Sequence, residues 1–193
     1  RIYPEEQKEI NQKQKVVEMD VNNPLFVIGI KDQVIENKEE LVKKHIAIEI
    51  LLYMLIGKSS KLYQKLYNDN LIIAQPDLDY EFSKQYAHIT ISGQSNNPEK
   101  LLEELINEIE ELKQNGIDDK VFARIKKKFY GSYVTEFDDV SDISRMFMSD
   151  YFKGINSFDY IEMHKQVSKE YTEEILKEIF DENKIILSIV KGK

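Results

Sequence analysis

The 193-residue sequence contains no cysteine and no tryptophan, and only seven glycines and four prolines. Without thiols, disulfides, thiolate nucleophiles and cysteine-based zinc sites are excluded, and a reducing cytoplasm is the expected localisation. The scarcity of glycine and proline excludes collagen-like and low-complexity architectures. Positive charge is also in deficit: 27 Lys and Arg stand against 35 Asp and Glu, for a formal charge of −8. That balance argues against a nucleic-acid partner, whose phosphates are held mainly by clustered cations. No apolar run approaches the ~20 residues that span a bilayer. The longest, residues 46–56, is broken by Glu49 and reads as a buried helix, so no membrane partner is expected. The chain opens on Arg1-Ile2-Tyr3-Pro4 with no charged-then-apolar leader, and an excerpt of a longer protein is expected.

What is present is a globular composition, 41% apolar and 32% charged, sufficient for one core. One domain over residues 1–193 is expected, with residues 1–14 a polar linker or arm. Val17, Met19 and Val21 alternate with acidic residues as in a half-buried strand, and Leu25 to Ile30 form a central strand after the Asn22-Asn23-Pro24 turn. The two read as a first strand pair. Asn37 caps a helix running to about Gly57, with Glu40 as a capping-box partner, and Ser59 or Ser60 starts a shorter helix. Leu78, Tyr80 and Phe82, then Ala87, Ile89 and Ile91, mark a second strand pair. Asn97 and Pro98 open a helix striped by Leu101, Leu105, Ile109 and Leu112, which ends at Gly116. A Lys-rich helix follows, then three short helices and a strand over residues 185–190. Paired strands with grouped helices predict an α+β fold: an antiparallel or mixed β-sheet covered on one face by helices.

The titratable residues show no standard catalytic spacing. None of the three histidines sits in H-E-x-x-H or H-x-x-E-H, and there is no G-x-S-x-G elbow or phosphate loop. His45 and Glu49 share a helix face, but no third ligand can be nominated, which favours a structural or solvent-facing pair. His88 and His164 read as surface residues. Asp138, Asp139 and Asp142 read as helix caps, since calcium-loop spacing is absent. Lys126, Lys127 and Lys128 read as a solvated helix face that also offers contact to a partner domain. Tyr53, Tyr63, Tyr67 and Tyr80 read as core and boundary packing, with a peptide-contact surface as the alternative.

The stretch Gly57-Lys58-Ser59-Ser60-Lys61-Leu62-Tyr63-Gln64-Lys65-Leu66-Tyr67-Asn68-Asp69-Asn70-Leu71-Ile72 resembles a segment of the insulinase-type zinc peptidases, the family of pitrilysin and mitochondrial processing peptidase. In that family small residues precede Leu-Phe-Gln and a charged turn. The flanking helices and strands follow the same order from about Val16 to Val190. The resemblance is strongest to the C-terminal, non-zinc half of bacterial two-domain zinc proteases.

The resemblance implies a processing-peptidase-like half that binds peptide substrate and closes a chamber. Zinc is expected in the N-terminal half and no cofactor in this chain, so the chain alone is expected to be inactive. Ser59, Ser60, Tyr63 and Tyr67 are the expected substrate-binding residues, with no catalytic or metal residue. The implied partners are the N-terminal zinc-binding half, a peptide, and a homologous subunit or second copy. Many family members carry an Arg in this helix and a Tyr seven positions later, two donors for a developing oxyanion. Here those places hold Tyr67 and Ala74, and a one-residue shift gives Leu66 and Ile73. That departure supports an alternative, a non-catalytic scaffold or peptide-binding homologue of the same fold.

Overall fold

A computed structural model describes residue 7 and residues 9–192 of the chain. Residues 1–6 and 8 of the polar arm lie outside the described residues, and the rest of the arm has no regular structure before Gln14. The elements run β1 (Gln14–Glu18), β2 (Leu25–Asp32), α1 (Lys38–Ile56), α2 (Lys61–Asn68), β3 (Asp77–Phe82) and β4 (Ala87–Gln94). They continue with α3 (Pro98–Asn115), α4 (Asp119–Thr135), α5 (Val140–Lys153), α6 (Asp159–Gln166), α7 (Lys169–Ile179), a 3-10 turn and β5 (Ile185–Lys191).

The five strands form one mixed sheet in the order β1-β5-β2-β4-β3. β2 pairs antiparallel with both β4 and β5, β3 antiparallel with β4, and β1 parallel with β5. The expected α+β architecture is therefore present, with one correction. The first two strands do not pair, because β5 lies between them. Apolar alternation specifies which face of a strand is buried but not which strand lies beside it. β1 also ends at Glu18, short of Met19 and Val21, and is exposed along its length instead of half-buried.

Alternation sets the faces. Phe26, Ile28 and Ile30 of β2, Ile89 and Ile91 of β4, Tyr80 and Phe82 of β3, and Leu187 and Ile189 of β5 are buried under the helices. Their neighbours Val27, Lys31, His88 and Ser188 occupy the other, open face. α1 lies at the centre of the helical layer against α4, α6, α7 and β3, which explains why its apolar residues are nearly continuous.

Local capping follows the sequence. Asn37, Ser60, Asn97 and Asp139 each accept backbone N–H bonds at a helix start. The reciprocal Glu40 contact does not form, because its carboxylate accepts from the Tyr171 hydroxyl at 2.6 Å. Gly116 ends α3 at φ 74°, where a side chain is strained. Gly57 ends α1, and a Cβ there would lie 2.4 Å from the Tyr53 carbonyl oxygen. Gly57→Ala is accordingly expected to destabilise the fold by about 1–3 kcal/mol. Urea denaturation would check this, and an unchanged midpoint would refute it.

Candidate functional site

α1 carries Lys44, His45 and Glu49 into three different environments, and two of them adjoin a cleft. Lys44 is 1% exposed. Its ammonium lies 2.9 Å from Asp32 Oδ1 and 3.0 Å from Glu178 Oε1, while the Tyr80 hydroxyl donates to Asp32 Oδ2 at 2.7 Å. This cluster joins α1, α7, β2 and β3, and it fixes the position of α1 on the sheet.

One residue along, the Tyr160 hydroxyl lies 2.7 Å from His45 Nδ1, and His45 Nε2 lies 3.9 Å from Glu49 Oε1. The Tyr133 hydroxyl donates to Glu49 Oε2. The His45 ring meets Phe82 and Tyr160 edge-on. Burial, and then the nearby Lys153 charge, lower the imidazole pKa to about 3, so His45 is neutral at ordinary pH. Burial pushes the Glu49 carboxyl up to about 7, against the Tyr133 hydrogen bond and the Lys128 charge and with the Asp79 charge. Burial and the Glu49 charge hold the Tyr133 phenol well above its usual range.

His45 and Glu49 line a cleft of about 390 Å³ between α1, α4 and β3. Asp77, Asp79, Tyr80, Lys58 and Lys128 also border it. The Lys128 ammonium sits 3.9 Å from the centre of the Tyr53 ring and 4.6 Å from that of Phe129, cation–π contacts that hold it at the cleft wall. The 124–128 stretch is thus more than a solvated face. Lys126 donates to the Val167 carbonyl at 2.6 Å and caps α6. His164, expected at the surface, is 3% exposed beside Tyr130 and Tyr133. A polar residue in an amphipathic helix is buried when a segment distant in sequence covers it, here α4, which local pattern does not reveal.

β3 is an outer strand, paired only with β4. The Ser83 N–H donates to the Tyr86 carbonyl across the hairpin, which fixes the alternation of the ladder. Leu78, Tyr80 and Phe82 therefore turn their backbone N–H and C=O away from β4, toward the free edge. The cleft lies along this strand.

The four expected substrate-binding residues do not gather in one place. Ser60 is buried, and its hydroxyl accepts the Tyr63 N–H as the cap of α2. Ser59 accepts from Arg124 at 3.2 Å, and the two serines line a separate cleft of about 280 Å³ between α2, α3 and α4. Tyr63 and Tyr67 stack with ring centres 6.1 Å apart on the outer side of α2, with Tyr67 exposed. Ala74, also exposed, brings no donor. The sequence spacing pointed to His45 and Glu49, but not to Tyr133 and Tyr160, which come from 84 and 115 residues away. Among the described residues no three His, Cys, Asp or Glu side chains group to hold a metal. His45 and Glu49 have no third ligand beside them, so zinc does not fit this cleft.

Comparison with known proteins places this fold. A crystal structure of an M16-like peptidase from Alicyclobacillus acidocaldarius matches at a TM-score of 0.92 and 22% identity, over 100% of this chain and 46% of that one. A protease from Helicobacter pylori matches at a TM-score of 0.82 and 19% identity, over 98% of this chain and 46% of that one. The inactive peptidase domain of a zinc protease from Bordetella parapertussis matches at 0.72 and 12% identity, over 92% of this chain and 95% of that one. The uncharacterized zinc protease YmfH of Bacillus subtilis (strain 168) is 24% identical over 174 residues, 90% of this chain and 40% of its own length. The chain thus spans less than half of the curated relative and of the first two structures. The model of the family described as the peptidase M16 inactive domain matches residues 2–129. With two thirds of its length matched and the fold shared throughout, this chain belongs to the peptidase M16 inactive-domain family.

Proposed function

We propose that this chain is the substrate-holding, chamber-closing half of a two-domain zinc-dependent peptidase, whose zinc is carried by an N-terminal half. One observation carries the reading: the free edge of β3 runs along the cleft bordered by Glu49, Asp79 and Lys128. Asp77 to Asp79 leave the start of this edge at least partly exposed, and an unpaired strand edge beside a groove accepts an extended peptide as an added strand, with main-chain bonds for affinity and flanking side chains for selection. Ser59, Ser60, Tyr63 and Tyr67 stand in this reading as wall residues on the α2 side. The expected setting of the whole protein is the cytoplasm. Among the described residues, no helix is long and apolar enough to cross a membrane.

The test has two arms. Titrating an extended peptide into the labelled chain should slow amide exchange at Leu78, the edge residue that is not already buried; protection confined to other elements would refute strand addition. The full-length protein should cleave unfolded peptides, and a chelator should abolish that cleavage. Cleavage that persists in chelator would sink the zinc assignment.

A second reading has one observation in its favour. By the resemblance, Tyr67 and Ala74, or Leu66 and Ile73 after a one-residue shift, stand where many family members have the Arg and Tyr donors, which supports a non-catalytic, peptide-binding homologue. Full-length protein that binds peptides at β3 without cleaving them would establish it.

A further inference from the structure

Helix α5 is unlike the other helices. Of its fourteen residues only Asp150 is buried. Asp150 accepts from the Ser157 hydroxyl at 2.7 Å, and Phe147 packs with Phe137 and Phe158. These contacts hold one side of the helix. On the solvent side Val140, Met148, Tyr151 and Phe152 recur at helical spacing and are 78%, 60%, 77% and 73% exposed. Large apolar side chains this exposed and contiguous mark a surface that is covered in the working assembly.

The charge pattern agrees. The chain carries −8 overall, yet α5 balances Asp142 and Asp150 against Arg145 and Lys153. Asp142 and Arg145 are also paired with each other. A stripe without unpaired charge is what the core of a protein interface requires.

We infer that the Val140–Met148–Tyr151–Phe152 face of α5 is the surface on which the remaining half of the same polypeptide docks. This rests on the reading that the chain is one half of a two-domain protein. Two observations select that occupant. More than half of each full-length relative lies outside the matched portion, so a body at least as large as this one is joined to it there. The stripe is also small: four such side chains offer roughly 500 Å², short of the ~800 Å² per partner typical of free-standing complexes. A tethered domain needs less area, because the linker supplies a high effective concentration. A lipid surface is disfavoured, since a helix lying in a membrane carries a Lys- and Arg-rich polar face. α5 has only Arg145 and Lys153.

Hydroxyl-radical footprinting of the full-length protein and of the 193-residue chain tests the inference at Met148, Tyr151 and Phe152, with exposed Tyr86 as internal reference. The shorter chain is a fair comparison, because the Bordetella parapertussis relative was solved as essentially this domain alone. In monomeric full-length protein the three side chains should react about tenfold more slowly than in the 193-residue chain, as buried interface groups do. Equal rates would overturn the assignment. Protection that disappears when full-length dimers are diluted to monomers would overturn it in favour of a second copy. Protection of the 193-residue chain by phosphatidylglycerol vesicles would overturn it in favour of lipid. A Met148→Lys/Phe152→Lys variant should loosen the two halves, seen as faster proteolysis at their junction, and leave the melting of the 193-residue chain unchanged. None of these readouts requires peptide binding or cleavage, so failure of the functional reading and failure of this one are separable.

Discussion

Replacing Asp32 by alanine is expected to lower the unfolding free energy by about 3–5 kcal/mol, among the largest losses available to a single substitution here. The cause is Lys44. Its ammonium, almost wholly buried, would be left with Glu178, whose side chain is 58% exposed, as its only carboxylate partner, and the Tyr80 hydroxyl would lose its acceptor. An unpaired buried charge costs far more than the net worth of the pair it came from. Glu178→Gln should by contrast cost less than about 1 kcal/mol, because that partner is solvated and screened. Chemical denaturation of both variants would distinguish them, and equal losses would show that Asp32 is not the partner that matters.

Glu49→Gln is expected to raise stability at pH 8 by roughly 1–3 kcal/mol and to leave it unchanged near pH 4.5. The folded carboxyl titrates at about 7 and the unfolded one at 4.5. Between those values the folded state keeps a proton that the unfolded chain has lost, so stability falls as pH rises through that window and is flat above it. His45 acts in the opposite sense. Its pKa drops from 6.5 unfolded to about 3 folded, so acidification across that range favours the unfolded chain. In the wild type the two effects oppose each other between about pH 4.5 and 6.5, which flattens the profile. Glutamine keeps an acceptor for the Tyr133 hydroxyl and removes one of the two, so the variant should lose stability steadily as pH drops below 6.5. Denaturation midpoints measured in half-unit steps would show the change of shape; parallel profiles would refute the coupling.

The sequence revealed what depends on neighbours along the chain. Asn37, Ser60, Asn97 and the stripe Leu101–Leu105–Ile109 each announce a helix start or a buried face within a few residues, and the structure agrees. The Leu78–Tyr80–Phe82 alternation gave the β3–β4 hairpin on the same basis. Features made by distant segments were not legible. Nothing adjacent to Lys44 in the chain marks its pairing, since Asp32 and Glu178 are brought to it by the fold, the latter from 134 residues away. His164 looks solvated until Tyr130 and Tyr133 pack on it. The polar spacing of His45 and Glu49 was visible, but the tyrosines that hold them and the burial that shifts their titration were not. The arrangement of the remaining candidates was not legible either: Ser60 is committed to a cap, and Tyr63 and Tyr67 stack away from the cleft.

The placement of β5 between β1 and β2 has a consequence for biosynthesis. β1 leaves the ribosome about 170 residues before its neighbour in the sheet exists, so neither its backbone donors nor one edge of β2 is satisfied until translation reaches Ile185. The β3–β4 hairpin forms early and locally, but the sheet closes only by a late insertion, as a keystone closes an arch. Pairings of such long sequence separation fold slowly, and during the wait β2 offers an apolar edge to chaperones or to neighbouring nascent chains.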